Sequence, residues 1–205
     1  MNLPNKLTLS RIVMTVFFVM ALLLPHFPYG KTVAFWLFIA ASITDWWDGW
    51  LARRNKITTA FGIMLDPLAD KILTCAAFIC LVEIDAPGRA PGHHNLVQAW
   101  MAVVIIGREF VINGLRLMAA QKGMTLPADL LGKQKTISQM VSINFILLGL
   151  MLTEDWPWLL GSYMQFFEQW FPTVSFWLMI LTVLLTVISG VSYLIRGHRL
   201  YTQDT

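Results

Sequence analysis

Four aspartates at short, regular intervals in an otherwise apolar stretch, Asp45, Asp48, Asp66 and Asp70, are the residues best suited to chemistry. Asp45 and Asp48 are three apart, and Asp66 and Asp70 four apart. Either spacing puts both members of a pair on one face of a helix. Gly49, Ala52 and Arg53 continue the first face, and Gly62 lies one turn before the second pair. Only Asn55–Thr59 connects the two segments, so they are expected to be antiparallel neighbours whose acidic faces meet at one depth. Four carboxylates gathered there repel one another unless a cation is present. Oxygen donors of this kind suit Mg²⁺, Mn²⁺ or Ca²⁺, and two such ions would clamp a diphosphate during an in-line displacement. Gly49, Ala52 and Gly62 let a bulky ligand or another backbone come close, although helix packing alone would account for any one of them. Ion pairs with Arg53 or Lys71 could satisfy one or two aspartates and would leave the others unpaired.

A second group is basic. Arg108 and Arg116 are eight apart in an apolar run and face nearly the same way, with Glu109 beside the first and Lys133 and Lys135 further on. An arginine at that depth needs an anionic partner. A phosphate on a substrate would serve, with the guanidinium as a fork-shaped donor. Glu109 or one of the aspartates would serve equally well as a structural partner, and Arg116 could simply meet lipid headgroups. Cys75 and Cys80, five apart in one apolar stretch, fall on different sides of a helix and read as reduced thiols, neither a disulfide nor a metal pair.

The elements that must position these groups follow from composition. Of 205 residues, 57% are hydrophobic and 13% charged, against about a quarter charged in soluble domains. The long apolar runs lack the two-residue alternation of a barrel, so the fold class is an all-α integral membrane protein. Six transmembrane helices are expected, near Leu7–Leu24, Thr32–Leu51, Ala60–Val82, Leu96–Ala120, Thr136–Leu152 and Thr173–Ile195, each close to the roughly 20 residues needed to span a bilayer. Together they read as one domain over residues 1–205. The first run follows Lys6 and Arg11 but precedes Pro25-His26-Phe27-Pro28 and no small-x-small cleavage site, so it reads as a retained span, not a signal peptide. Trp156, Trp158 and Trp170 bracket the Thr153–Pro172 connection, as rings at a membrane surface would, with room for a short interfacial helix.

Lys6, Arg11, Arg53, Arg54, Lys56, Lys122, Lys133, Lys135, Arg196 and Arg199 all fall on one side of this arrangement. That side is therefore expected to be cytoplasmic, together with both termini and the acidic cluster. The net charge of +3 fits a basic face against anionic lipid headgroups, and a nucleic-acid partner is not expected. A divalent-cation transporter would also use intramembrane carboxylates. It would spread them through the depth of the bundle or show inverted repeats, and this sequence does neither.

The run Asp45-x2-Asp48-Gly49-x2-Ala52-Arg53-x8-Gly62-x3-Asp66-x3-Asp70 resembles the signature of the CDP-alcohol phosphatidyltransferases. The resemblance implies transfer of a phosphatidyl group from CDP-diacylglycerol to a small alcohol, in a homodimer of the cell (inner) membrane with a polar cavity open to the cytoplasmic side. It further implies that Asp45, Asp48 and Asp66 ligate Mg²⁺ or Mn²⁺, two ions in all, with Asp70 as general base beside the second. Gly49, Ala52, Arg53 and Gly62 would line the CDP pocket. Four shorter stretches, Pro4-Asn5-x-Leu7-Thr8-x2-Arg11, Arg108-Glu109, Gly114-Leu115-Arg116 and Gly132-Lys133-x-Lys135-Thr136, resemble the branch of the family whose acceptor is sn-glycerol 3-phosphate. On that reading Arg108, Arg116, Lys133 and Lys135 bind the acceptor phosphate, while Asn5, Thr8 and Arg11 contact a headgroup. Phosphorylated inositol would satisfy the same cations, and inositol or serine remain alternative acceptors. Asp70→Asn is expected to keep the fold and metal binding while abolishing CMP release; a variant that still turns over would remove Asp70 as the base.

Overall fold

The computed structural model describes the backbone of residues 3–24, 27–55, 60–88, 95–121 and 130–196, and the side chains of 9–24, 27–44, 71–88, 95–121 and 130–196. These residues are almost wholly helical: α1 (Leu3–Leu23), α2 (Gly30–Asn55), α3 (Ala60–Glu83), α4 (Ala99–Gln121), α5 (Leu130–Leu150), the single-turn α6 (Pro157–Leu160) and α7 (Met164–Arg196). A π-helical turn, Met151–Asp155, prolongs α5, and a 3-10 turn, Gly161–Tyr163, leads into α7. An isolated antiparallel bridge between Asp85 and Asn95 closes the connection from α3 to α4.

Each expected apolar run falls within or largely within one of these helices, and α5 and α7 outrun the expectation furthest. α5 starts at Leu130, not Thr136, and α7 starts at Met164 and passes through Pro172. Proline lacks an N–H and removes one ladder bond, which is why Pro172 read as a boundary. Packing outweighs that loss here. Phe171 is fully buried, stacked on Phe167 at 5.1 Å and against Phe145 at 5.5 Å. The connection read over Thr153–Pro172 is therefore mostly helical, and α6 is its short separate helix.

α1 packs on α2 and α3, α4 on α3 and α7, and α5 on α2 and α7. Their shared core includes Phe18, Phe38, Phe78, Leu81, Met101, Ile105, Ile146 and Met179. The interior changes character along its length. On α4 the buried stripe runs Met101, Ile105, Glu109, Ile112; on α5 it runs Lys135, Gln139, Ser142, Ile146, Leu150. On α7 it runs Phe171, Ser175, Met179, Thr182, Thr186, Ser189, Tyr193. Steps of three and four residues keep each stripe on one face. One end of the bundle is therefore apolar inside, and the end holding the N-terminus of α5 and the C-terminus of α7 is polar inside.

The outward faces are the reverse of a soluble protein's. Leu117 is 65% exposed, Trp177 64% and Ile195 70%, while Lys135 is only 4% exposed. Contiguous apolar surface of this kind marks contact with something other than water. Leu130–Asp155 and Pro157–Arg196 are each long and apolar enough to cross a membrane, so the structure is compatible with an all-α membrane protein.

At the apolar end the chain is pinned by one carboxylate. Asp155 Oδ2 accepts from the Thr32 backbone N–H at 2.6 Å and from Thr32 Oγ1 at 2.7 Å. Trp156 Nε1 donates to the same hydroxyl at 2.8 Å. The first N–H groups of a helix lack intrahelical partners and carry partial positive charge, so Asp155 caps α2 and holds it to the end of α5. Lys31 Nζ donates to the Leu22 carbonyl at 2.9 Å and lies 3.6 Å from Glu154.

Gly149 of α5 is a close-approach position, because the Phe171 ring occupies the space that a Cβ would need. Gly149→Val is expected to cost about 1–3 kcal/mol through overpacking, read as a lower thermal midpoint in detergent. Adding Phe171→Leu should recover part of that loss.

Candidate active site

The two groups singled out by sequence lie on four consecutive helices. Asp45, Asp48, Gly49, Ala52 and Arg53 are on the C-terminal part of α2; Gly62, Asp66 and Asp70 are on the N-terminal part of α3. Their side chains lie outside the described residues, as do those of Asn5 and Thr8. At the level of the backbone, each aspartate pair keeps its one-face helical spacing, on helices that follow each other across residues 56–59. The donor set, four carboxylates on two consecutive helices, is of the hard-oxygen kind that divalent cations take. Among the described residues there is no cluster of three or more metal-ligating side chains elsewhere.

Two members of the basic group, Arg108 and Lys135, meet at Glu109. This residue is 6% exposed and sits in the inward stripe of α4 between Ile105 and Ile112. Its Oε2 lies 3.4 Å from Lys71 Nζ of α3. Its Oε1 is paired with Lys135 Nζ of α5, accepts from Gln139 Nε2 at 3.4 Å and lies 3.5 Å from Arg108 Nη1. One buried carboxylate thus meets cations from three helices. Lys71, at the position directly after Asp70, reaches Glu109; its expected pairing with the aspartates involves side chains outside the described residues.

Arg108 is held from its other side by α7. Its Nη2 donates to Ser189 Oγ at 2.8 Å. Its stem passes over Gly190, where a Cβ would come within 3.1 Å of Arg108 Cγ. Two turns on, Arg116 Nε donates to Tyr193 Oη at 2.9 Å, and its guanidinium lies 5.1 Å from the centre of the Tyr193 ring. That geometry combines a hydrogen bond with a cation–π contact. The pairing of Arg108 with Glu109, read from sequence as the structural alternative, is present beside the bond to Ser189.

The structure therefore brings Arg108 and Lys135 together and sets Arg116 nearby on the same helix as Arg108. Lys133 occupies an exposed position on α5, whereas Lys135 faces inward. Arg11 is buried on α1. Sequence reasoning did not single out Gln139, Ser189, Gly190 or Tyr193, nor Lys71 as a partner of Glu109. A signal for the α7 residues was available: the small polar residues Ser175, Thr182, Thr186 and Ser189 stand seven, four and three positions apart, on one helical face. Such a stripe in an apolar helix marks the face that packs on other helices.

The chain matches the CDP-alcohol phosphatidyltransferase family over residues 1–191. It is 38% identical over 203 residues to a CDP-diacylglycerol–glycerol-3-phosphate 3-phosphatidyltransferase of Bacillus subtilis (strain 168), covering 94% of this chain and 93% of that protein. A protein of the same name from Yersinia pestis (strain Pestoides F) is 36% identical over 181 residues, covering 87% and 91%. Another from Sodalis glossinidius is 38% identical over 149 residues, covering 72% and 77%.

Ser189→Ala removes the acceptor for Arg108 Nη2, and Tyr193→Phe removes the acceptor for Arg116 Nε. Hydrogen bonds to charged groups contribute about 1.5–3 kcal/mol, so either variant should lower the thermal unfolding midpoint in detergent. An unchanged midpoint would show that α7 does not hold the arginines.

Proposed function

This chain belongs to the CDP-alcohol phosphatidyltransferase family, and we propose that it transfers the phosphatidyl group of CDP-diacylglycerol to sn-glycerol 3-phosphate, giving phosphatidylglycerophosphate and CMP. The observation that carries the choice of acceptor is the convergence of Arg108, Lys135 and Lys71 on one buried point of the bundle. In a chain whose relatives are named for glycerol 3-phosphate, such a cluster suits the phosphate of that acceptor. Arg108 and Arg116 would supply planar forks to its oxygens, and Lys135 a point charge. Lys133, exposed at the mouth of the same helix, would act at longer range.

In the reaction the acceptor hydroxyl oxygen bonds to the lipid-side phosphorus, and the bond from that phosphorus to the CMP oxygen breaks. Asp70 would take the hydroxyl proton. Asp45, Asp48 and Asp66, together with Asp70, would hold two Mg²⁺ or Mn²⁺ ions, whose charge offsets that of the diphosphate and the departing CMP. Gly49, Ala52, Arg53 and Gly62 would make room for the cytidine end. Holding the acceptor phosphate deep in the bundle fixes its hydroxyl relative to α3, and positioning of this kind supplies much of the catalysis in phosphoryl transfer.

The six long helices are read as six spans of the cell membrane, with both termini and the polar end of the bundle cytoplasmic. The Lys and Arg distribution supports that orientation, and the polar interior at the α5 N-terminus supports the cavity. A homodimer belongs to the same reading through the family resemblance, with membrane lipids as surroundings and CDP-diacylglycerol arriving from the bilayer.

CMP release by purified protein with CDP-diacylglycerol and Mg²⁺ or Mn²⁺ is expected with glycerol 3-phosphate, and not with inositol, inositol 1-phosphate, serine or phosphatidylglycerol. Release with a different acceptor would keep the reaction and move the acceptor assignment. Chelation of divalent ions should stop turnover. Arg108→Gln is expected to raise the KM for glycerol 3-phosphate about tenfold, a loss of about 1.4 kcal/mol, with a smaller effect on the KM for CDP-diacylglycerol. An unchanged acceptor KM would return Arg108 to a purely structural role.

A further inference from the structure

We infer that Glu109 is a positioning residue for the acceptor: its carboxylate holds Lys135, Lys71 and Arg108 convergent, so that a phosphate meets a cation cluster already assembled. The inference rests on the proposed acceptor and adds to it a residue that acts through the cations it meets. Three observations carry it. Glu109 and Lys135 are both more than nine-tenths buried, on different helices, and paired with each other. The two oxygens are divided between helices, Oε2 towards Lys71 on α3 and Oε1 towards Lys135 and Gln139 on α5. The third cation, Arg108, is braced from behind by Ser189 and by the space above Gly190, so it approaches Glu109 from a fixed side.

The physical argument is one of charge and preorganisation. Three cations drawn to one buried point repel one another, and the Glu109 carboxylate offsets that repulsion where they meet. A phosphate could gather them on arrival, but binding would then bear the cost of ordering each side chain. A carboxylate that stays in place removes that cost and sets the spacing of the cluster. Lys71, Lys135 and Arg108 each carry more donors than the one turned to Glu109, so the cluster can still meet an anionic acceptor. Gln139, one turn from Lys135 on α5, donates to the same oxygen and limits how the carboxylate can rotate. Because Lys71 directly follows Asp70, the same carboxylate also relates the helix of the proposed base to the helices of the acceptor cations.

A residue acting through Lys135 leaves a signature in a double-mutant cycle. Glu109→Gln keeps the size and removes the charge; Lys135→Met keeps the stem and removes the ammonium. Steady-state CMP release is measured for both, and for the double variant, with each substrate varied in turn. Glu109→Gln and Lys135→Met should each raise the KM for glycerol 3-phosphate about tenfold. The double variant, in which the charge change cancels, should show no higher acceptor KM than Lys135→Met alone. The KM for CDP-diacylglycerol should move much less in all three. If Glu109→Gln does not extract as folded protein, Glu109→Asp is read instead; it keeps the charge, shortens the reach and should give a smaller rise in acceptor KM. An unchanged acceptor KM in the folded Glu109 variant, or losses that multiply in the double variant, would overturn the inference. Wild-type protein that is active only with an uncharged acceptor would overturn the acceptor assignment, and the role of Glu109 with it.

Discussion

A carboxylate buried among helices has to be matched where it stands, because an uncompensated charge in a low-dielectric interior costs several kcal/mol. Glu109 is matched by Lys71 from α3, Lys135 from α5 and Arg108 from its own helix. Removing one partner of such a group typically costs about 3–5 kcal/mol, so the relative depth of α3, α4 and α5 is tightly constrained at this level. Other features of the polar end follow from that constraint. Arg108 must turn towards Ser189, α7 must offer Gly190 where the arginine stem crosses it, and Tyr193 is left to receive Arg116.

The apolar end obeys a different rule. There the helices meet through aromatic and aliphatic side chains, among them Phe145, Phe167 and Phe171, and Gly149 brings α5 close to α7. The Asp155–Thr32 cap then fastens α2 to the end of α5. Close packing at one end leaves the bundle able to tolerate charge at the other. An enzyme joining a membrane lipid to a water-soluble phosphate is served by both: an apolar exterior that lets the lipid approach sideways, and a polar interior at one end of the bundle.

Much of the helical layout was legible in the sequence because a run of about 20 apolar residues has few alternatives to a helix. The exceptions are instructive. Pro172 read as a boundary because local chemistry disfavours proline inside a helix, whereas Phe171 beside it is locked by rings from α5 and α7. The start of α5 was placed at Thr136, yet the helix runs back to Leu130 through Lys133 and Lys135. Charges interrupt an apolar run without interrupting a helix. The two lysines were read as equals in the candidate site, but at 3.6 residues per turn they point about 160° apart. Only Lys135 faces inward, and that difference followed from the spacing alone.

By itself the sequence determined the helical class, the pairing of aspartates on single helix faces and the family, since all three depend on spacings within one segment or on a continuous motif. Tertiary structure decided which cations meet which anion. Lys71, Glu109, Lys135 and Ser189 come from four helices, and no periodicity within one helix reports which face of another it will meet. From sequence, the partner of Arg108 could be a phosphate, Glu109 or an aspartate. Packing resolved the protein side of that choice by placing Glu109 at the point where three helices converge, with Ser189 behind the arginine, because a buried charge can be satisfied only by groups that the fold carries to it.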